Sequence, residues 1–373
     1  MTSKQAADVI IIGGGIIGAA CADELAGHGL DVLVLDCNRP AATAAGMGHL
    51  VVLDDNPDEL ALSEYSVRAW RELAPQLPQD CAMRTNGTLW LACNAEEMDA
   101  ARAKQKTLLD YGMACALLDA QAVADAEPAL RSGLQGALKV SGDGILYAPN
   151  AARWLLQRHG ARIRQRTAQV TEVQGNRLRL ADGQWLSATA VILANGIYAS
   201  QLCPELPLQA KKGHLLITDR YPIQIQHTLV ELGYVTSAHN ATGPSVAFNV
   251  QQRPTGQLFV GSSRQFDNQD AEVEGWMLGR MLRRASEFLP GLSQMTAIRS
   301  WTGFRAASPD GLPLIGEHPR QPGLWLAVGH EGLGVTTAPG TARLLAAQLL
   351  RQPSPLPVEP YLPQRFIGAI AHA

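Results

Sequence analysis

The strongest constraint on the fold is a glycine pattern, Gly13-x-Gly15-x-x-Gly18, that lies between two apolar runs. The preceding run, DVIIIG, is typical of a strand that is buried on both faces of a parallel sheet. The following segment carries apolar side chains at helical spacing, and the second apolar run, VLVL, ends at Asp36. The sequence therefore predicts a strand–helix–strand unit near its start.

Each position of this pattern has a mechanical reason. Gly13 permits a tight turn, Gly15 lets a pyrophosphate approach the backbone, and Gly18 lets helix and strand pack closely. The free amides and the positive end of the helix then face the phosphates. Asp36 can accept hydrogen bonds from ribose hydroxyls, which suits FAD and NAD equally. The pattern therefore predicts a dinucleotide site without choosing between these two cofactors.

Strand and helix patterns return towards the C-terminus. Two strands joined by a DG turn precede the segment ANG, and a strand at 324–328 leads into the glycine-rich turn GHEGLG. A helix is predicted from about residue 336 to 350, with Pro339 in the first turn, where backbone donors are unpaired anyway. We expect one nucleotide-binding domain made of distant segments and a second, more antiparallel domain inserted into it. The predicted bounds are 1–80, 140–210 and 300–365 for the first domain, and 81–139 and 211–299 for the second.

The composition argues against several classes of partner. A formal net charge of -3 without a long Lys/Arg run disfavours nucleic acid and anionic membrane surfaces, because both demand clustered cations. No apolar stretch is long enough for a membrane span, and the polar start lacks the features of a secretory signal. The six cysteines are scattered without a CxxC pair, which predicts reduced thiols, no metal site and a cytoplasmic location.

Three further segments, AAGMGH, ANG and GHEGLG, resemble those of the D-amino-acid oxidase and glycine oxidase superfamily. The resemblance covers nearly the whole chain, since VIIIGGGIIGAACADELAGHGLDVLVLD, VILANGIYA and WTGFRAASPDGLPLIG follow in family order. It implies an α/β fold with a Rossmann-like FAD-binding domain of the glutathione-reductase type, and an inserted α+β substrate domain on a mostly antiparallel sheet. Several short segments of the sequence are most similar to catalytic β subunits of heteromeric bacterial amine dehydrogenases. These enzymes include D-hydroxyproline dehydrogenase, opine oxidase, sarcosine oxidase and hydrogen cyanide synthase subunits.

The same resemblance implies which residues hold FAD. The ADP half would lie against the first unit, the adenine against a later strand, the pyrophosphate and flavin against the AAGMGH segment, and the flavin's pyrimidine edge against the last helix. The cofactor is expected to be noncovalent, because no cysteine stands near residues 314–316, where monomeric sarcosine oxidases attach flavin. In that order the implied residues are Gly13, Gly15, Ile16, Ile17, Gly18, Asp36 and Cys37; Val170, Ala194, Asn195 and Gly196; Thr43, Ala44, Ala45, Gly46, Met47 and Gly48; and Gly332, Leu333, Gly334, Val335 and Thr336. Arg305 is a further residue expected to contact the cofactor.

The resemblance also points to a substrate site. Arg305 matches the family arginine that grips a substrate carboxylate, which a fixed fork of donors binds well. His49 and His330 are candidates for orienting the substrate or taking its ammonium proton, with a structural role as the alternative for each.

Two further candidates are aromatic and one is acidic. Glu331 would form an ion pair with a substrate amine or with another subunit, and the alternative is a solvated side chain. Trp301 would line the substrate site, and the alternative is packing in the core. Phe248 stands near the place of a substrate-holding tyrosine in glycine oxidases, which also carry an arginine at the position of Gly332. Because both family residues are missing, a simple glycine oxidase is disfavoured.

The function predicted from these features is FAD-dependent oxidation of the C–N bond of a small amino or imino acid, by hydride transfer to flavin N5 to give an imine. D-hydroxyproline or a related D- or secondary amino acid is the first choice. Alternatives are a glycine, D-amino-acid or sarcosine oxidase that uses oxygen, an NAD-linked reductase, and a noncatalytic FAD-binding subunit. The expected electron acceptor is a partner subunit, a quinone or oxygen. We expect the chain to form a hetero-oligomer with other dehydrogenase subunits, and any association with a membrane to be through those subunits.

Overall fold

The computed structural model describes residues 7–52, 56–222, 224–233, 243–266, 268 and 270–368. The strands are β1 (Val9–Ile12), β2 (Val32–Asp36), β3 (His49–Leu50), β4 (Thr88–Ala92), β5 (Cys115–Asp119), β6 (Gly136–Val140), β7 (Gly144–Ile145), β8 (Ile163–Thr167), β9 (Val170–Gln174), β10 (Arg177–Leu180), β11 (Trp185–Ser187), β12 (Ala190–Leu193), β13 (Gln209–Arg220), β14 (Thr228–Glu231), β15 (Ser245–Gln252), β16 (Gln257–Arg264), β17 (Ala297–Ala307), β18 (Leu314–Glu317) and β19 (Leu324–Val328). The helices are α1 (Ile16–Gly27), α2 (Ala42–Ala45), α3 (Pro57–Leu73), α4 (Ala95–Asp110), α5 (Ala120–Ala126), α6 (Ala148–Leu155), α7 (Ala199–Leu202), α8 (Gly275–Phe288) and α9 (Gly334–Leu349).

The predicted strand–helix–strand unit forms the middle of a six-stranded sheet with the order β18-β19-β12-β1-β2-β8. Strand β1 lies between β12 and β2, and Val9 is opposite both Ala190 and Val32 in parallel register. All four residues of β1 are buried, as a strand covered on both faces requires. The carboxyl ends of β1, β2, β12 and β19 therefore meet at one edge of the sheet.

Two layers cover this sheet. On one face, α1 and α9 pack with α3 and α6 around a core that includes Leu25, Trp70 and Leu345. On the other face, a three-stranded antiparallel sheet of β9, β10 and β11 contributes Leu178 to a second core beneath Ile10. This layered α/β arrangement with a central parallel sheet is the Rossmann-like architecture that the sequence predicts.

The second large sheet has eight strands in the order β17-β13-β16-β15-β14-β4-β6-β5. Its neighbours are antiparallel except for the parallel pair β14 and β4. Helix α8 covers part of one face, where Phe248 stacks on Phe288 with ring centroids 4.4 Å apart. The expected fold class, a Rossmann-like domain beside a mostly antiparallel second sheet, is confirmed. The predicted domain bounds stay a prediction, although β17 runs through the expected boundary at residue 300.

The last helix begins earlier than predicted, and this corrects the reason given for Pro339. Because α9 begins at Gly334, Pro339 lies beyond the first turn and would leave the carbonyl of Val335 without its helical donor. The indole nitrogen of Trp70 donates to Val335 O at 2.8 Å and to Thr336 O at 3.1 Å. A side chain from α3 thus replaces the hydrogen bond that the proline removes.

Candidate active site

An elongated cavity lies between the carboxyl ends of the parallel strands and the inner face of the eight-stranded sheet. Ligands of open parallel sheets bind at such strand ends. One end of the cavity is lined by Asp36 and Val170, and the other by Arg264, Arg305 and Glu331. The two ends are built differently, the first mainly from backbone and the second from charged side chains.

Glycine backbone forms the first end of the cavity. Gly13 has a φ of +107°, and a Cβ there would lie 2.7 Å from the carbonyl oxygen of Ala194. A Cβ on Gly18 would lie 1.9 Å from the carbonyl oxygen of Gly13, so α1 packs on β1 at a distance that only glycine allows. These contacts agree with the turning and packing roles expected of the two glycines.

Asp36 holds the turn beside this end of the cavity. Its carboxylate accepts hydrogen bonds from the backbone amides of Gly14, at 2.5 Å, and Asn38, at 2.6 Å. The residue also lines the cavity, next to Cys37. A carboxylate held by two amides has lone pairs left for further donors, so the geometry allows the predicted ribose contact.

The short helix α2 closes the middle of the cavity. The hydroxyl of Thr43 accepts a hydrogen bond from the amide of Ile16 at 3.0 Å, which ties α2 to the first turn of α1. Trp301 donates from its indole nitrogen to Ala45 O at 3.0 Å, and a Cβ on Gly303 would lie 2.4 Å from the Cβ of Ala45. The helix therefore sits directly on β17, and Trp301 supports this wall from behind rather than lining it.

Arg305 projects from β17 across the neighbouring strand. A Cβ on Gly213 would lie 2.7 Å from Arg305 Nη1, so the guanidinium passes over a position that has no side chain. Nη1 donates to Ser263 O at 3.2 Å, and the residue lines the cavity. The remaining donors of the guanidinium fork suit a carboxylate.

Just before α9 stand a buried, hydrogen-bonded histidine and an ion-paired glutamate. The His330 ring is buried and hydrogen-bonded to Thr341 Oγ1 at 3.0 Å, and burial lowers the pKa of His330 to about 3. Burial alone would raise the pKa of Glu331, but nearby cations outweigh it and hold that pKa at about 2. The nearest cation is Lys211, whose Nζ is 2.7 Å from Glu331 Oε1, and Arg264 and Arg305 add to the effect.

His49 lines the cavity from β3. Its Nε2 atom lies 2.9 Å from Thr88 Oγ1, and burial lowers the pKa of His49 to about 4. The ring is therefore neutral at pH 7 and cannot hold a proton as imidazolium. The Thr336 hydroxyl donates to His49 O at 3.0 Å and so joins this strand to the start of α9.

Most residues proposed from the sequence meet in this cavity. Four of them do not line it: Gly18 lies in the packing of α1 on β1, Ala44 is exposed on α2, Trp301 lies under α2, and Thr336 is buried inside α9. Those that line it are Gly13, Gly15, Ile16, Ile17, Asp36, Cys37, Thr43, Ala45, Gly46, Met47, Gly48, His49, Val170, Ala194, Asn195, Gly196, Arg305, His330, Glu331, Gly332, Leu333, Gly334 and Val335.

The expectation for Phe248 is wrong. Its side chain is fully buried on the outer face of the eight-stranded sheet against Phe288, whereas its neighbour Asn249 lines the cavity. Successive strand residues point to opposite faces, so a prediction that is off by one residue reverses the side.

Several lining residues were not proposed from the sequence. At the end lined by Arg305 and Glu331, which we call the substrate end, they are Trp90, Gly213, Asn249, Ser262, Arg264 and Thr302. At the end lined by Asp36 and Val170 they are Arg39, Gln169, Tyr198 and Gln201. Alternation along β15, with Phe248 on the opposite face, was the signal available for Asn249.

One cluster among the described residues has ligand-type atoms close together, namely Cys203, Glu205 and His318. The hydrogen bonds within this cluster disfavour the binding of a metal cation. The Nδ1 atom of His318 accepts from the amide of Arg320 at 3.2 Å, which leaves the proton of the neutral ring on Nε2, the atom that faces Glu205. Arg320 also pairs with the Glu205 carboxylate. All six cysteines of the chain are free thiols.

The fold and cavity define a dinucleotide-binding protein of the Rossmann-like type. The residues present fit FAD, because Gly13 and Gly15 form a cradle that a Cβ would narrow and Asn195 offers a buried Oδ1 atom with no partner among the described residues. The profile of the family described as "DAO: FAD dependent oxidoreductase" matches residues 8–348, and the chain belongs to this family. It is an FAD-dependent oxidoreductase that acts on amino acids or amines, as the sequence predicted.

Relatives are similar over nearly their whole length. The chain is 26% identical over 364 residues to the B subunit of opine oxidase from Rhizobium meliloti, covering 92% of this chain and 93% of the relative. It is 25% identical over 415 residues to the hydrogen cyanide synthase subunit HcnC of Pseudomonas aeruginosa, covering 96% of each. The crystal structure of glycine oxidase from Geobacillus kaustophilus superposes with a TM-score of 0.85 at 26% identity, covering 97% of this chain and 99% of that one. Among the described helices, none combines the length and apolarity that crossing a bilayer requires.

Proposed function

We propose that the chain oxidises the carbon–nitrogen bond of a small amino or imino acid, with D-hydroxyproline or a related D- or secondary amino acid as substrate. The observation that carries this proposal is the guanidinium of Arg305, which crosses Gly213 at the cavity wall. Its one hydrogen bond to the described protein goes to Ser263 O. The free part of the fork therefore binds a substrate carboxylate in a fixed orientation.

The charges at this end of the cavity favour an anion. Arg264 and Arg305 both line it, while Lys211 and Glu331 form an ion pair beside them. The pair cancels its own charge, so the Arg305 guanidinium keeps a positive charge at this end of the cavity. A small carboxylate is attracted to such a cleft and held close to the wall.

The rest of this end positions the substrate and excludes water. FAD, when bound, would supply the acceptor for the hydride that leaves the carbon beside the substrate nitrogen, which would give an imine. Trp90, Val51 and Val230 supply an apolar wall that keeps water from the reacting carbon. Neutral His49 supplies a polar atom for the substrate nitrogen.

Two unpaired polar atoms support a hydroxylated substrate. Asn249 Oδ1 and Ser262 Oγ are buried without hydrogen-bond partners among the described residues, and both residues line the cavity. They stand on neighbouring strands, because Asn249 is opposite Gly261 in the sheet. A buried unpaired oxygen is costly, and a ring hydroxyl on the substrate would satisfy these groups.

The first experiment is anaerobic flavin reduction in Arg305→Met. We expect the purified variant to keep its flavin absorbance while kcat/KM falls about 100-fold or more, because charge-assisted hydrogen bonds to the carboxylate are lost. Arg283→Met, on the exposed face of α8, is the matched control. Near-normal kcat/KM in Arg305→Met would reject the assigned role, and an unbleached wild-type spectrum across D- and secondary amino acids would reject the function.

The second experiment compares hydroxylated and plain D-proline. If Asn249 and Ser262 bind the ring hydroxyl, Asn249→Ala and Ser262→Ala lower kcat/KM for the hydroxylated substrate about 10-fold and leave D-proline nearly unchanged. An equal loss for both substrates would argue against the hydroxyl subsite and leave the carboxylate site in place.

We also propose that FAD is held without a covalent bond. Cys37 is the cysteine among the described lining residues, and it stands beside Asp36 at the end assigned to ADP. Acid precipitation is expected to release all of the yellow cofactor into the supernatant. Flavin that stays with the pellet would contradict this.

We further propose that the chain is a cytoplasmic dehydrogenase subunit that passes electrons to a partner subunit or a quinone. Several of its relatives carry the word subunit in their names, which supports the idea. After anaerobic reduction by substrate, the flavin is expected to reoxidise slowly in air and rapidly with a soluble quinone. Rapid reoxidation by oxygen alone would favour the oxidase alternative.

A further inference from the structure

Three polar side chains lead from the cavity into the protein. His49 lines the cavity, its Nε2 atom is 2.9 Å from Thr88 Oγ1, and the Thr88 hydroxyl is near enough to the Asp143 carboxyl group to help lower the pKa of Asp143. Thr88 and Asp143 are completely buried. The three residues come from β3, the start of β4 and the turn between β6 and β7, so the fold, and not local sequence, aligns them.

The inner end of this chain is an incompletely satisfied carboxyl group. Asp143 Oδ1 accepts a hydrogen bond from the amide of Val52 at 3.2 Å. Its Oδ2 atom has no regular hydrogen-bond partner among the described residues. A buried carboxylate with one open oxygen is costly when ionised and is stabilised when it takes a proton.

The charges that face Asp143 only partly offset its burial. Arg71 of α3, which donates to Gly142 O, and Lys104 of α4, whose Nζ lies 5.3 Å from the centre of the Trp90 ring, are the cations near it. Burial raises the pKa of Asp143 to about 7 despite these cations, and burial lowers the pKa of Lys104 to about 8. The carboxyl group therefore changes its protonation state near neutral pH.

His49 cannot serve as a base on its own. Burial holds the pKa of His49 at about 4, so an imidazolium there is unstable at neutral pH. A neutral imidazole can nevertheless take a proton on one nitrogen while it releases one from the other. His49 Nδ1 has no protein partner in the part of the chain that is described, and Nε2 faces Thr88.

We propose that Asp143 is the final acceptor of the proton that leaves the substrate ammonium, and that Thr88 and His49 relay it. The inference rests on the proposed function, and adds a base to it. The substrate N–H proton binds His49 Nδ1, the proton on Nε2 passes to the Thr88 oxygen, and the Thr88 hydroxyl proton passes to the open oxygen of Asp143. His49 and Thr88 end neutral, the substrate amine becomes neutral with its lone pair free, and Asp143 becomes a neutral acid.

This arrangement also sets which way the hydrogen bonds point. In the relay, ionised Asp143 draws the Thr88 hydroxyl to donate to its open oxygen while Thr88 accepts from His49 Nε2–H, so that Nδ1 offers a lone pair to the cavity. With Asp143 protonated, each hydrogen bond reverses and Nδ1 carries the hydrogen. One buried proton thus decides whether His49 accepts or donates towards the substrate.

The first test needs no substrate. In the FAD-loaded protein labelled with 15N-histidine, the shifts of the two His49 nitrogens report the tautomer, and they are expected to exchange between pH 5 and 9. Thr88→Val and Asp143→Asn abolish that exchange, whereas Thr88→Ser, which keeps the hydroxyl, preserves it. A pH-independent His49 tautomer, or an unchanged titration in Thr88→Val, would overturn the relay.

The second test is the pH dependence of anaerobic flavin reduction. Removing a general base typically slows a reaction about 100-fold or more, so Asp143→Asn and Thr88→Val should lose that factor below the substrate amine's own pKa and lose the titration near pH 7. Thr88→Ser should retain the profile. Wild-type rates in Asp143→Asn would refute the relay. A protein whose His49 titrates as expected but whose flavin no amino acid reduces would refute the proposed function instead.

Discussion

Gly213→Ala changes the position of Arg305, the arginine that we propose binds the substrate, without changing its chemical groups. The new Cβ would lie 2.7 Å from Arg305 Nη1 and 3.1 Å from both Cζ and Nη2. Ordinary van der Waals contact begins near 3.4 Å, so the guanidinium must move by about 0.7 Å. The group that moves is the far end of a flexible side chain, so protein stability should hardly change.

The loss falls on substrate binding instead. A misplacement of about 1 Å can cost roughly 100-fold in rate, and one hydrogen bond to a charged group contributes about 1.5–3 kcal/mol. We therefore expect kcat/KM of Gly213→Ala to fall by about 10- to 100-fold, with full FAD content and an unchanged unfolding midpoint.

The assay is a double-mutant cycle with Arg305→Met, measured as kcat/KM for the best reducing substrate. In the Arg305→Met background, Gly213→Ala should add little, because the clashing group is gone. Gly291→Ala, where a Cβ meets nothing within 4 Å, is the control. A Gly213→Ala enzyme within about twofold of wild type, or an equal loss in both backgrounds, would refute the reasoning.

Three other substitutions test separate parts of the structure. Trp70→Phe removes the donor that replaces the hydrogen bond lost at Pro339, and should lower the free energy of unfolding in urea by about 1–3 kcal/mol; no change would mean that Val335 O finds another donor. Phe248→Ala should cost about 3–5 kcal/mol of stability while KM stays at the wild-type value, and a raised KM in the folded enzyme would return this residue to the substrate site. For Asp143, a folded-state pKa raised from 3.8 to about 7 means that the wild type loses stability as pH rises between these values, by on the order of 4 kcal/mol in total. Asp143→Asn lacks this loss, so its stability relative to wild type should increase from pH 4 to pH 8 in urea titrations; a constant difference would contradict the raised pKa.

The nucleotide end of the cavity was predictable because its requirements are local. Gly13, Gly15 and Gly18 stand at fixed spacing within one turn, and Asp36 follows the next strand in the chain. Sequence periodicity and turn chemistry determine all four positions. The structure accordingly gathers them at the carboxyl edge of the parallel sheet.

The substrate end was only partly predictable because its contacts join distant strands. Arg305 depends on the absence of a side chain at Gly213, 92 positions earlier in the chain, and on the register of β13 with β17. Because successive residues of β15 point to opposite faces, Phe248 packs against Phe288 while its neighbour Asn249 lines the cavity. A sequence without strand register cannot supply either fact.

The difference between the two ends has a chemical consequence. Backbone amides and glycine contacts near Gly13 tolerate few substitutions, since a Cβ at Gly18 would lie 1.9 Å from a carbonyl oxygen. Side chains such as Asn249 line the cavity from the sheet, and they can be replaced without rebuilding it. Substitutions at the substrate end should therefore redirect the chemistry to another amine while the cofactor stays bound. By the same reasoning, a buried proton acceptor such as Asp143, which touches neither substrate nor cofactor, would serve any amine that reaches His49.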